Sequence, residues 1–327
     1  MAATAYEAPP PPPSAPPRPA PRRDAVRTWK WSHRLAFGTC WACGIALGLV
    51  CAAIVVYMGV RGVQYLNPRL LFTRPQPGLA QSTTGGILDP IVGTVILTII
   101  GIAIAVPLAV VAAVWVVEYG RPAPLARAVE SGIEVVAGTP DIVIAIFGLA
   151  IFQLPILAPV SFTASGGGVF GRSFLAAGSM MSLIALPLVF GAVREGLTAI
   201  PAHVREASWA LGKTRVCTIR EILLPQVRHN VATGAALGMG RIVGDTAVVV
   251  VLLGATLQIE RQGSVPILGD LRGTGSTLTS YVYNASPAGE GNAPQKAYAA
   301  AFVLLLIVLF LNFAVDLLGR RRKETRA

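Results

Sequence analysis

Six apolar runs, each close to the roughly 20 residues that a helix needs to cross a bilayer, constrain this chain more than any other feature. They cover residues 35–60, 91–117, 142–160, 174–193, 231–257 and 299–318. Only 13% of the 327 residues are charged, about half the share of an ordinary soluble domain. A single-core soluble enzyme is thereby excluded, and so is a disordered regulator. The expected fold is an all-α integral membrane protein with six transmembrane helices. Prolines inside three of the runs (Pro107, Pro155 and Pro187) are compatible with spanning helices, because neighbours can satisfy the freed carbonyls.

The first run has 26 residues and follows a basic stretch. A secretory signal has an apolar stretch of about 7–15 residues, so a retained first helix is expected. Arg22-Arg23 is read as a topology anchor. Before it, residues 9–21 hold nine prolines, which predicts an extended tail over 1–30.

The net charge is +11. The cations gather between apolar runs, and no nucleic-acid-binding motif accompanies them. Lipid, not nucleic acid, is therefore the expected surface partner. With six spans, the segments on one face carry nineteen Lys or Arg and those on the other carry seven. The positive-inside rule then puts both termini, including a basic tail at 319–327, in the cytoplasm of a plasma-membrane protein. The loop at 260–295 faces outward.

No metal or cofactor site is read. Cys40 and Cys43 form a C-x-x-C inside an apolar run, without a second ligand pair. His33, His203 and His229 fall at loop positions, and no catalytic set of His, Cys or carboxylates clusters with them.

The loop at 194–230 is the most informative segment. Between Pro201 and Pro225, apolar residues recur at three- and four-residue steps, with Gly212 interrupting them. This predicts two short amphipathic helices joined by a glycine bend and closed by Pro225. Gly212-Lys213-Thr214 imitates the end of a phosphate-binding loop, but the glycine that motif needs five positions earlier is Ala207. An ATP site is thus not expected in the loop itself. An exposed amphipathic loop without chemistry calls for a protein partner.

Glu206-Ala207-Ser208, three residues, Gly212, nine residues and then Ile222-Leu223-Leu224-Pro225 resembles the coupling loop of ABC importer permeases. Ser208 in place of a second alanine is the one departure in the signature. The resemblance implies a type I ABC importer transmembrane domain over 85–318, with its coupling loop at 201–225. It implies that Glu206, Ala207, Ser208, Gly212, Ile222, Leu224 and Pro225 seat against a cytoplasmic ATP-binding subunit, which performs the hydrolysis. The chain itself is then not an enzyme.

The fifth run holds two charges, Arg241 and Asp245. Four residues apart, they are expected on one face of a continuous helix. Ionisable groups at this depth are costly and usually functional. Two readings stay open: a neutralising pair that holds helices together, or a pathway for an anion. Arg241 presents donors suited to phosphate oxygens. Asp245 is suited to accept a hydrogen bond from a protonated phosphate, which sulfate does not offer at neutral pH.

The segment GMGRIVGDTAVVVVLLGA, with the runs beginning at Gly85 and Gly138, is similar to the PstA-type phosphate permeases. That family commonly has Glu where Asp245 stands. It also commonly has an arginine near the position of Gly191, for which Arg194, one turn on, is the candidate substitute. The implied partners are a second permease (PstC-like), ATP-binding subunits (PstB-like) and an external phosphate-binding protein (PstS-like). A permease for sulfate, molybdate or phosphonate shares the coupling loop, and a non-transport membrane sensor is the alternative of another class.

Overall fold

In a computed structural model the described residues are 31–76, 85–120, 122–163, 168–254, 256–260, 262, 266–287 and 293–320. The proline-rich tail and the basic segment 321–327 lie outside them. The helices are α1 (Trp31–Tyr65), α2 (Pro68–Phe72), α3 (Leu88–Val114), α4 (Ala123–Gly138), α5 (Asp141–Phe152), α6 (Phe174–Ala199) and α7 (Ala202–Ala210). They continue as α8 (Arg215–Thr218), α9 (Leu224–Gly244), α10 (Ala247–Leu253), α11 (Pro266–Arg272), α12 (Leu278–Ala285) and α13 (Pro294–Arg320). Two isolated bridges, Thr163 with Val169 and Glu260 with Thr274, are the only β pairing among the described residues.

The chain falls into two units, one ending at Val56 and the other beginning at Tyr57. The described part of the first is apolar helix, the larger portion of α1. The second holds the bundle. Its centre is the α3–α6 crossing, where Gly178 meets the Ile100 side chain and Gly101 meets Ile242 of α9. Fully buried Phe174, Met181 and Leu252 pack round this crossing. A second apolar cluster gathers Val189, Val193 and Leu197 of α6 with Leu223. A third gathers Leu278 and Tyr281 of α12 with Ala299 and Ala300 of α13.

Among the described residues, four helices are long and apolar enough to span a membrane; the number rises to six if each of two bent pairs is one span. The fifth run falls in one of those pairs and the third run supplies only α5 of the other, so neither is the single straight helix expected from the sequence. For the third, α5 has 12 residues and is therefore about 18 Å long, well short of a bilayer core of about 30 Å. Residues 155–160 follow it as a 3-10 turn beginning at Pro155. The preceding helix α4 lies at 106° to α5 across Thr139-Pro140. The residue before a proline is forced out of the helical region, and Thr139 is extended (φ −80°, ψ 133°). For the fifth, α9 and α10 meet at 68°.

Two π-helical turns adjoin the long helices, Trp115–Tyr119 after α3 and Ile219–Leu223 before α9. The second corrects the expectation that Pro225 closes the loop helix. Leu224 N–H bonds the carbonyl of Ile219, five residues back, and the helix then runs through Pro225 into α9. The wide turn lets the chain pass a residue that has no N–H to give.

The tight approaches make a direct test. A Cβ on Gly93 would overlap the backbone carbonyl of Ser276, whereas Gly132 on α4 faces open space. Overpacking costs about 1–3 kcal/mol, and each kcal/mol shifts melting by about 2–4 °C in a chain of this size. Gly93→Ala should therefore melt several degrees lower in detergent, and Gly132→Ala should hold or rise slightly.

Candidate functional site

The two breaks meet. Pro140 leaves Asp141 in the first turn of α5, and Gly244 leaves Arg241 in the last turn of α9. A carboxylate at a helix start and a cation at a helix end each complement the helix dipole. Arg241 Nη2 and Asp141 Oδ2 form an ion pair that joins the two broken spans. The arginine side chain remains 50% exposed and the aspartate 19%.

Asp245 is not on the arginine's helical face. It stands beyond the end of α9 in extended backbone (φ −81°, ψ 131°). Its Oδ1 accepts from Val248 N–H at 2.9 Å, which satisfies a free donor at the start of α10. Thr279 Oγ1 donates to its carbonyl at 3.2 Å. The Asp141 carboxyl also reaches Asp245, so the break gathers one guanidinium and two carboxyls. The shared helical face expected for Arg241 and Asp245 is not formed, and the ion pair of the arginine is with Asp141. Sequence reading missed Asp141 as a site residue. Its signal is an isolated carboxylate placed directly after Thr-Pro at the head of an apolar run.

The glycines of α9 divide their work. Gly234 and Gly238 lie against Val189 and Ala185 of α6, so their small size serves packing inside the chain. Gly240 and Gly244 meet nothing within 4 Å. With Leu237 and Arg241 they form an open stripe on α9. Arg194 does not stand unpaired: it ion-pairs Glu130 of α4 at 2.7 Å.

The loop at 201–225 has the two helices and the glycine bend that its sequence predicts. Gly212 ends α7 with φ +79°. Gly212 N–H bonds Trp209 O at 2.9 Å, and Lys213 N–H bonds Ser208 O at 3.2 Å. This paired arrangement at a helix end needs left-handed backbone, which glycine adopts without a Cβ penalty. Ser208, the departure from the loop signature, is buried, and its hydroxyl shares a 2.8 Å hydrogen bond with Thr218. It ties α7 to α8 across the bend through a hydrogen bond that an alanine cannot make. Glu206, Ala207 and Pro225 are exposed, while Ile222 and Leu224 are half-buried. Leu211 and Val216 present further apolar surface, and Arg215 stacks over Trp209.

Long apolar helices, two of them broken round charged groups, together with an exposed loop of two short helices, define a membrane-embedded transport component. The family described as "Binding-protein-dependent transport system inner membrane component" matches residues 105–324, and the chain belongs to it. It is therefore a multi-pass permease subunit of an ABC importer, with a type I transmembrane domain. Phosphate transport system permease protein PstA 1 of Mycobacterium tuberculosis (strain ATCC 25618 / H37Rv) is 31% identical over 249 residues, 75% of this chain and 74% of that protein. Phosphate transport system permease protein PstC of Xylella fastidiosa (strain 9a5c) is 28% identical over 291 residues, 84% and 85% of the two chains. Among solved structures, a bacterial alginate ABC transporter in complex with a periplasmic protein has a TM-score of 0.62 at 15% identity, covering 91% of this chain and 99% of that one. The MetNI methionine ABC transporter, in inward-facing form, has a TM-score of 0.51 at 18% identity, covering 72% and 94%. Both structures speak for the fold alone.

Electrostatics in the loop are testable. Lys213 and Glu221 pair at 2.5 Å, which holds the carboxyl below and the ammonium above their ordinary ranges. The contribution of this pair is present at neutral pH. It is lost in acid as Glu221 protonates below its ordinary range, and in alkali as Lys213 deprotonates above its own. Desolvation, then Glu221, pushes the Cys217 thiol up, while Lys213 pulls it down. In a background of Cys40→Ser, Cys43→Ser and Cys51→Ser, maleimide should therefore label Cys217 slowly at pH 7.5 and faster as pH rises. Glu221→Gln should speed labelling at pH 7.5 by about twofold to fivefold, because a smaller upward push leaves more thiolate.

Proposed function

We infer that this chain is one half of the permease pair of an ATP-driven importer of inorganic phosphate. The observation that carries this reading is the half-exposed Arg241 guanidinium where two broken helices meet. Irregular backbone at membrane depth is tolerated where it is buried in protein or lines a water-filled cavity. Arginine offers the paired donors that phosphate oxygens accept. With no anion bound, Asp141 neutralises it, and an arriving phosphate competes with that carboxylate. Asp245, one step along the break, accepts a hydrogen bond from the protonated oxygen. The relatives that are named phosphate permeases support the same choice.

The open stripe of Leu237, Gly240, Arg241 and Gly244 supports a second, PstC-like permease alongside this PstA-like one. Small residues let helices approach closely, and they leave the guanidinium between the two subunits. The exposed surface of α7 and α8, with Glu206 and Ala207, seats a PstB-like ATP-binding subunit, which performs the hydrolysis. A PstS-like protein delivers phosphate from outside. Both termini are cytoplasmic, by the excess of cations on that face.

Uptake of labelled phosphate, sulfate and molybdate by the reconstituted complex tests the substrate. Phosphate alone should accumulate; preferential uptake of another oxyanion overturns the assignment. Arg241→Gln should lower phosphate uptake about thirtyfold or more in complexes that still assemble, as losing one partner of a charged contact costs at least about 2 kcal/mol. Normal uptake by that variant removes the pathway role. Asp245→Asn should weaken uptake more than assembly, and failure of assembly alone assigns this carboxyl to holding the break.

A further inference from the structure

Arg205 stands beside the exposed loop surface, yet its side chain turns inward and is 16% exposed; its partner Glu118 is 10% exposed. Glu118 lies on the π-turn at the end of α3. Arg205 Nε and Nη2 both donate to Glu118 Oε1, at 3.0 and 2.7 Å. Nη1 donates to the carbonyl of Ile200 at 2.8 Å, and Nη2 to that of Leu197 at 3.0 Å. These two carbonyls belong to the end of α6, where a helix leaves acceptors without intrahelical donors and carries partial negative charge. A second arginine, Arg215 of α8, donates to the Glu118 carbonyl at 3.4 Å.

One guanidinium thus joins three elements: the loop helix α7, the end of α3 and the end of α6. Breaking a buried, hydrogen-bonded charge pair leaves an uncompensated charge, so this contact resists pulling far more than a surface ion pair. The loop is also covalently continuous at both ends, with α6 through Ile200-Pro201 and with α9, the helix that carries Arg241, through α8 and the π-turn. The end of α3 has no such backbone continuity with the loop and is held at Glu118, by Arg205 through its side chain and by Arg215 through its carbonyl.

We propose that the Arg205–Glu118 contact is the joint that passes movement of the docked loop helix to α3, so that α3 moves with α6, and that it makes ATP turnover productive in transport. Arg205 and Glu118 are positioning residues here, since neither touches substrate. The proposal rests on the importer reading and adds to it the route by which force reaches the bundle. Force along the backbone alone would reach α6 and α9 and leave α3 to follow by packing. Force that also passes through the Glu118 contact moves α3 with them as a body, as rigid-body switching requires.

The test uses the complete reconstituted complex and reads ATP hydrolysed per ion imported. Glu118→Gln keeps the shape and one acceptor oxygen, so it serves as the mild variant beside Arg205→Gln. Both should bind the ATPase and hydrolyse ATP at near wild-type rates. The ATP spent per phosphate should rise by about tenfold for Arg205→Gln and less for Glu118→Gln, a coupling loss within the usual range. The exchange Glu118→Arg with Arg205→Glu should recover part of the ratio, because the pair is restored while the carbonyl contacts are not. An unchanged ratio in both single variants overturns the proposal. So does a parallel fall of hydrolysis and uptake, or loss of the ATPase on purification, because the contact would then serve docking or folding only. If the wild-type complex imports sulfate or molybdate instead, the substrate reading fails and the joint is judged by the same ratio on that ion.

Discussion

A peptide group without a partner is expensive in hydrocarbon, and the whole arrangement round Arg241 follows from that cost. Ending α9 at Gly244 and restarting at Ala247 frees donors and acceptors inside a membrane span. Asp245 takes up the Val248 N–H, and Thr279 supplies a hydroxyl to the Asp245 carbonyl. The other break is held by Pro140, which needs no donor partner, and by Asp141 at the head of α5. Once both interruptions are satisfied, two helix ends of opposite polarity face each other and a single ion pair links them. The break therefore creates the charged site as much as the charges stabilise the break.

The bundle was legible in the chain because hydrophobicity is a sum over many residues. The four unbroken spans, 35–60, 91–117, 174–193 and 299–318, fall within α1, α3 and its π-turn, α6 and α13. The loop helices and the Gly212 bend were legible for a local reason: a glycine that must take positive φ stops a helix whatever surrounds it. The two bent spans were not. Hydropathy reports that residues 231–257 prefer lipid or protein to water, and it is silent on direction. The turn at Asp245 depends on Thr279, 34 positions away. For the same reason the arginine's partner was misread: spacing along one helix pointed to Asp245, whereas the fold brought Asp141 from 100 positions away. Glu118 and Arg205 were equally hidden, being ordinary loop charges until tertiary structure buries them together.

The loop reads differently once its internal contacts are known. Gly212 and Ser208 belong to the loop signature, yet one is fixed by backbone geometry and the other by a buried hydroxyl contact with Thr218. These positions shape the surface from beneath, while Glu206, Ala207, Leu211 and Val216 present it. A surface shaped from beneath holds its form on its own, and a preformed surface carries a low ordering cost in any association.

The wide turn at Ile219–Leu223 has a consequence for the arginine 18 positions beyond its end. A π-turn accommodates an additional residue in the helical path. Removing that residue would shorten the path by only about 1.5 Å, yet it would swing everything downstream by about 100° in azimuth. Arg241 would keep its depth and lose its bearing, pointing toward a different sector of its surroundings. The compass heading of Arg241 is thus set at the far end of its helix, by a register choice made beside a proline.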